Sequence, residues 1–479
     1  MIIIYSFTAV IMLATLFLLI WGTNHRPKKE VLAFAKTKTE AEGLIFGLDS
    51  RGRYVYSPID DELMLLIVGG SGSAKTSAAV IPSLKSIPHN TGLVLDISGD
   101  VSANVKPDNK LVFEPRDPDS YPYNVFGHID SLASEFPKIS TEELQYTELE
   151  KLAIQLMPEP AGGNDSAVYF CHGGRSFLTS ALITGYADGK DFLEILTHFL
   201  QSSWSAVLRE AKESGIRQAI IPVAKYADSD PDDKNVTGCK ESADSAVAAL
   251  VSDPSLRYNL RRPFSNEIAL TPKALETHLC FVRIQQDEIE KYKTLINLII
   301  TQSLDYLSVR PDENKKAIVV AIDELPRFGR IPQLEGALAT LRKRHTRLII
   351  VCQSISQLRS IYGNDDTDSI INNCGFQLLM SVNDPETQKY FADVIGQEER
   401  RKTSVTSGGI YGQVTQSTSK DEHYIISPDE LGRINADDEA VLIHPGPGHY
   451  MRLFKNPYYK DNRIPAFLRG VANKLTTNR

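Results

Sequence analysis

The sequence predicts an α/β fold built on a parallel sheet, and three observations carry that expectation. In residues 63–82, LMLLIVGGSGSAKTSAAVIP, a buried-strand run breaks into small residues and then into a helical pattern. In residues 316–332, KAIVVAIDELPRFGRIP, a second apolar, β-branched run ends in two acids, Asp323 and Glu324. Between the two, residues 141–255 show apolar side chains at three- and four-residue spacing, which marks a helical region inserted into the sheet.

The first segment has the layout of a phosphate-gripping loop. A strand ending at Val68 feeds Gly69, Gly70, Ser71, Gly72 and Ser73, whose small side chains let backbone N–H groups close around a polyphosphate. Lys75 adds its charge to the β- and γ-phosphates, and Thr76 places a hydroxyl on Mg²⁺. The helix that begins near Ser77 points its positive end at the same anion. The pattern G-x-x-x-x-G-K-[ST] has one fault here, because Ala74 stands where it calls for glycine. The added methyl group brings bulk close to the phosphates and removes the freedom to take a positive φ.

The acids complete the chemistry. Ligand sites in open α/β sheets gather at the C-terminal ends of the strands, so an acidic strand end belongs beside the loop. Asp323 is expected in the Mg²⁺ shell, and Glu324 takes a proton from, or orients, the water that attacks the γ-phosphate of a nucleoside triphosphate. By itself, Asp-Glu after a strand reads as a solvated turn. Its pairing with the upstream loop is what favours a nucleotide site.

Composition narrows the remaining options. A chain of 479 residues with 42% hydrophobic content can bury a large core, as two domains plus an anchor. The net charge of -8 argues against a generally basic surface, so nucleic acid must be met by local patches or by the pore of an assembly. Cys171, Cys239, Cys280, Cys352 and Cys374 lack C-x-x-C spacing and point to a reducing compartment, neither a zinc site nor a disulfide framework.

Residues 2–21 contain no charge and are long enough as a helix to span about 30 Å of hydrocarbon. His25, Arg26, Lys28 and Lys29 follow, so the positive-inside rule keeps the body cytoplasmic and the N-terminus outside. A cleaved signal peptide is disfavoured because the segment lacks a basic n-region and a small-x-small cleavage site. The expected organisation is a transmembrane anchor over 1–25, a nucleotide-binding domain over 26–140 and 256–479, and an all-helical insert over 141–255.

Within the core, short strands are expected at 44–49 and 54–56, and further ones at 92–95, 278–284 and 346–352, with helices at 287–309 and 334–343. Gln353 ends the strand next to the acidic one, where it either senses the γ-phosphate or is an ordinary polar strand end. Arg342, Lys343, Arg344, His345 and Arg347 form a dense basic run, which is either a solvated face or the source of an arginine offered to a neighbouring subunit's nucleotide; Arg342 is the candidate. The Ser/Thr/Gly-rich stretch 403–420 reads as a hairpin or a disordered insert.

Several long blocks resemble one family, the type IV secretion coupling proteins. The blocks are GLIFGLDSRGRYVYSP, VIPSL, LVLDISGD, IDELPRFGRIPQLEGALATLR, IIVCQSISQLRSIYG, INNCGFQLLMSVNDPETQKYFADVIG and YIISPDELGRINADDEAVLIHPG. The resemblance implies a RecA-like P-loop NTPase core with an inserted all-α domain, a homo-hexamer, and ATP-driven delivery of relaxase-bound single-stranded DNA or protein substrates to a secretion channel at the cytoplasmic membrane. It gives Lys75 and Thr76 their roles on the loop, Asp323 and Glu324 theirs on the acidic strand, Gln353 that of sensor and Arg342 that of the arginine supplied in trans. Three departures stand out: Ala74, the tip Asp96-Ile97-Ser98-Gly99-Asp100 in place of the family's usual proline-lysine-glycine-acid, and one span in place of two. The alternative is a membrane-anchored docking receptor that binds nucleotide but hardly hydrolyses it. Glu324 favours the motor, since a pure binding module has no use for a general base.

Overall fold

The computed structural model describes residues 35–461 except 40, 59–63, 88–89, 134–137, 161–163, 231, 312–315, 332–333, 408–413, 437 and 445–448. The expected span at 2–21 therefore lies outside the described residues. Among those that are described, no helix is long and apolar enough to cross a membrane.

The strands, in chain order, are β1 Lys36–Lys38, β2 Gly43–Leu48, β3 Tyr54–Pro58, β4 Leu65–Val68, β5 Gly92–Asp96, β6 Lys110–Phe113, β7 Leu279–Arg283, β8 Ile318–Ile322, β9 Thr346–Cys352, β10 Phe376–Leu379, β11 Gln397–Ser407, β12 Val414–Tyr424, β13 Glu439–Ile443 and β14 Tyr450–Phe454. The chain divides into two compact units. One comprises Met1–Ile87, Cys352–Leu358 and Cys374–Arg479, the other Pro88–Val351 and Arg359–Asn373.

In the first unit the strand order is β1-β3-β2-β14-β13-β10-β4. Only β4 and β10 run parallel there, with Leu65 opposite Phe376 and Val68 opposite Leu379. Both are buried along their whole length, as expected of parallel strands covered on two faces. The turn from β2 to β3 is closed by Asp49, whose carboxylate accepts from the N–H groups of Arg51 and Arg53, each at 2.9 Å. Burial alone would raise the Asp49 pKa, but these bonds and the Arg53 guanidinium hold it below the ordinary value. Two buried serines tie the helix Ile81–Ser86 to β2. Ser83 Oγ accepts from Ile45 N–H at 2.8 Å, and Ser86 Oγ donates to Gly43 O at 2.6 Å. Strands β11 and β12 form a separate antiparallel pair, so of the stretch 403–420 the described residues 403–407 and 414–420 are paired strand.

In the second unit the order is β9-β8-β5-β7-β6, and every pairing is parallel. Thr346–Cys352 is a strand with the bounds the sequence suggested, and Ile289–Ser308 is the expected long helix. Between β6 and β7 the described residues contain no strand beyond a single bridge, Tyr123 to Leu270. The region is helical: Thr141–Leu156, Asp165–Ala187, Phe192–Gln201, Trp204–Ser214, Arg217–Val223 and Lys234–Ser252. Their starts are written in the sequence. Ser140 with Glu143, and Asp191 with Glu194, make reciprocal capping boxes that satisfy the first orphan N–H groups. All five cysteines are buried and unpaired.

Candidate nucleotide site

Strand β4 delivers the loop into the first unit, where small residues are required for different reasons at different positions. A Cβ on Gly70 would lie 3.0 Å from the Asn383 amide, and one on Gly69 would lie 2.6 Å from Ser73 Oγ. Gly72 has open space around it but sits at φ +74°, a region that glycine enters without strain. Ser71 and Gly72 are exposed, whereas Ser73 is buried and donates to Gly70 O at 2.7 Å, closing the loop on itself. The Lys75 ammonium folds back over the loop and donates to Gly69 O at 2.6 Å and to Gly70 O at 3.0 Å. Its charge also reaches the base of the loop: burial pushes the Cys352 thiol up to about 12, against the pull of Lys75.

Ala74 takes φ +67°. The sequence suggested that alanine would forgo this conformation. The loop imposes it nonetheless, at a cost of roughly 1–2 kcal/mol for an L-residue with a Cβ. Beyond Lys75 the helix opens with a wide turn over Thr76–Val80, in which Ile81 N–H donates to Thr76 O. Ser77 is half-buried in this turn, with its hydroxyl 3.4 Å from Ala74 O.

The first unit also brings Gln353 to the loop. Gly69 N–H donates to Cys352 O at 3.1 Å, so Gln353 starts where the loop starts, and its own N–H lies 3.4 Å from Gln357 Oε1. Asn383 and Ser381 were not anticipated. They follow β10, and the parallel register of β10 with β4 was the available signal, since it carries both strand ends to one edge. Asp384 anchors this corner by accepting from Ser356 Oγ and Thr387 Oγ1, each at 2.5 Å. Burial would raise its pKa, but these bonds hold it below the usual value.

The second unit carries the acids. Asp323 is buried at the end of β8, its N–H donating to Leu95 O at 3.3 Å. Glu324 takes φ +63° and ψ +57°, a left-handed conformation that turns the chain sharply after the strand. Its carboxylate lies 3.2 Å from Arg327 Nε, a partner that the sequence reading left unassigned. Arg342 is exposed in the short turn Arg342–Arg344. The basic run is not one surface: Arg347 is buried, and Arg344 O accepts from the buried Arg310 at 3.1 Å. Asp96, expected at a polar tip, caps its own turn by accepting from Gly99 N–H at 2.9 Å and Ser102 N–H at 2.7 Å.

Fold and loop together define an α/β P-loop NTPase-like core. Residues 273–478 match the family model for type IV secretory system conjugative DNA transfer. The chain is also similar to protein VirD4 of Agrobacterium fabrum, 23% identical over 440 residues, covering 88% of this chain and 63% of that protein. Over these matched stretches the chain resembles the type IV secretion coupling proteins.

A second relative is the type IV secretion system-coupling protein VirD4 of Bartonella henselae, 25% identical over 402 residues, covering 80% of this chain and 61% of that one. The chain thus spans about three-fifths of the length of these curated relatives. Among solved structures it shares its fold with the bacterial conjugative coupling protein TrwBΔN70, at a TM-score of 0.67 and 16% identity over 90% of this chain and 91% of that one. TrwB in complex with ADP and Mg²⁺ gives a TM-score of 0.66 at 17% identity, covering 92% and 95%.

Proposed function

We propose that this chain is a membrane-anchored ATPase that couples relaxase-bound single-stranded DNA, or protein substrates, to a type IV secretion channel. The observation that carries the reading is the loop over residues 69–77, closed on itself, with the Lys75 ammonium drawn across it and a helix start behind it. Such a cradle of small residues, a cation and a helix N-terminus fits a polyphosphate. The family-model match over residues 273–478 and the ADP- and Mg²⁺-bound form of TrwB support the same ligand.

Mg²⁺-ATP supplies the phosphoanhydride whose hydrolysis drives transport. When nucleotide and metal bind, Lys75 would neutralise the terminal phosphate oxygens and the Thr76 hydroxyl would ligate Mg²⁺; Asp323, in the second unit, is the acid proposed for the metal's shell. Glu324 accepts the proton of the attacking water, with Arg327 holding its carboxylate in place. Gln353 begins beside the loop and senses the terminal phosphate. Arg342, exposed on its turn, reaches a neighbouring subunit's nucleotide in a homo-hexamer. In this reading the core is RecA-like, the helices within 141–255 form a domain that selects cargo, and residues 2–21 anchor the protein in the cytoplasmic membrane with its body in the cytoplasm.

ATP turnover, with and without single-stranded DNA, tests the proposal. Lys75→Ala and Glu324→Gln should each lower turnover by about a hundredfold or more. Tight nucleotide binding with no turnover in the parent protein would overturn the motor and leave a docking receptor.

A further inference from the structure

We infer that the C-terminal strap at residues 455–461 positions the nucleotide loop by supplying a hydrogen bond that the loop's own helix cannot make; this deepens the nucleotide reading above and rests on it. The turn after Lys75 is wound wide, with Ile81 N–H donating to Thr76 O five residues back. In that winding the donor due to Ser77 O is residue 82. Residue 82 is proline and has no N–H. With Ile81 N–H spent on Thr76, the Ser77 carbonyl takes its donor from outside the helix. Tyr458 N–H provides it at 2.8 Å.

The strap is itself fixed. Pro457 and Asp461 are buried, and Lys460 N–H closes the turn onto Pro457 O at 2.9 Å. The Asp461 carboxylate accepts from the Tyr54 hydroxyl on β3 and from the Asn456 amide. At its start, Lys455 N–H donates to Asp438 O at 2.9 Å, just before β13. The Lys85 ammonium stands 4.9 Å over the Tyr458 ring. The strap therefore transmits the placement of β3 and of the β13–β14 hairpin into the turn that carries Thr76 and Ser77. Tyr458 is a positioning residue, acting through its main chain; Pro82 creates the need that it fills.

The two roles separate by substitution in the full-length protein. Tyr458→Pro removes the N–H, Tyr458→Ala keeps it and removes only the ring, and Pro82→Ala gives Ser77 O an internal donor. Two quantities are read: amide hydrogen exchange over residues 78–81 without nucleotide, and the Kd for Mg²⁺-ADP. Tyr458→Pro should speed exchange and weaken binding, each about tenfold, as expected for a lost bond to a half-buried carbonyl. Tyr458→Ala should change both less than about twofold, and adding Pro82→Ala to Tyr458→Pro should restore both. Equal effects of the two Tyr458 variants, or no rescue by Pro82→Ala, would overturn the inference. Tyr54→Phe releases the Asp461 pin without touching the helix, and it should speed the same amides about threefold; unchanged exchange would count equally against the strap. A protein that shows the exchange pattern but never binds Mg²⁺-ADP would refute the nucleotide reading while leaving the strap's positioning role in place.

Discussion

Two residues of the candidate site carry backbone strain, and only one of them was visible as an oddity in the sequence. Ala74 was a mismatch to a motif; at φ +67° it becomes a measurable cost. Relief of the left-handed conformation by glycine is worth roughly 1–2 kcal/mol, offset by the greater entropy glycine loses on folding. Ala74→Gly should therefore raise the unfolding free energy by about 0.5–1 kcal/mol in urea titrations, whereas Ala74→Val should lower it by about 1 kcal/mol or more. Glu324, at φ +63°, shows the same kind of strain at the acidic strand end. Nothing in IDELPRF announces it, because a left-handed glutamate is imposed by the turn that must follow β8.

At the scale of elements, close approach sets how two of the helices pack. Gly173 and Gly174 lie in Asp165–Ala187, where a Cβ would stand 2.3 Å from Cys239 Sγ and 2.8 Å from Cys239 O, respectively. The helix Lys234–Ser252 can pack there only against a bare backbone. Gly336, exposed in Leu334–Leu341, has nothing within 4 Å of the corresponding position. The same substitution should therefore move stability in opposite directions. Gly174→Ala should cost about 1–3 kcal/mol through overpacking, while Gly336→Ala should add about 0.5–1 kcal/mol through helix propensity. Thermal unfolding of the two variants beside the parent checks both signs.

At the scale of the whole chain, carboxylates in both units have been drawn into hydrogen-bond networks that tie stability to pH. Burial would raise Asp253, but Lys291 at 2.5 Å, Tyr292 at 2.6 Å and Ser255 N–H at 2.9 Å bring it down from 3.8 to about 2. Asp49 and Asp384 are lowered as well. A carboxylate with a depressed folded pKa contributes stability above its unfolded value, and that contribution is lost as pH falls through the folded value. Asp305 runs the other way, because burial raises it against a single bond from Gln155. For Asp253 the window is from about pH 4 down to about pH 2. Asp253→Asn should cost roughly 2 kcal/mol at pH 7, with the difference from the parent shrinking to little at pH 2 in denaturant titrations.

The sequence alone determined what local chemistry can write. Apolar β-branched runs set β4, β8 and β9; Ser140 and Asp191 set helix starts; and the small residues of 69–73 with Lys75 set a phosphate loop, since each depends on neighbours within a few positions. The tertiary structure alone decided what depends on distant partners. It placed Asn383 against Gly70 through the β4–β10 register, buried Arg347 out of an apparently solvated basic run, and turned Asp96 into a cap. It also filled the carbonyl left open by Pro82 with a donor from Tyr458, because a hydrogen bond is indifferent to how far apart its ends lie in the chain.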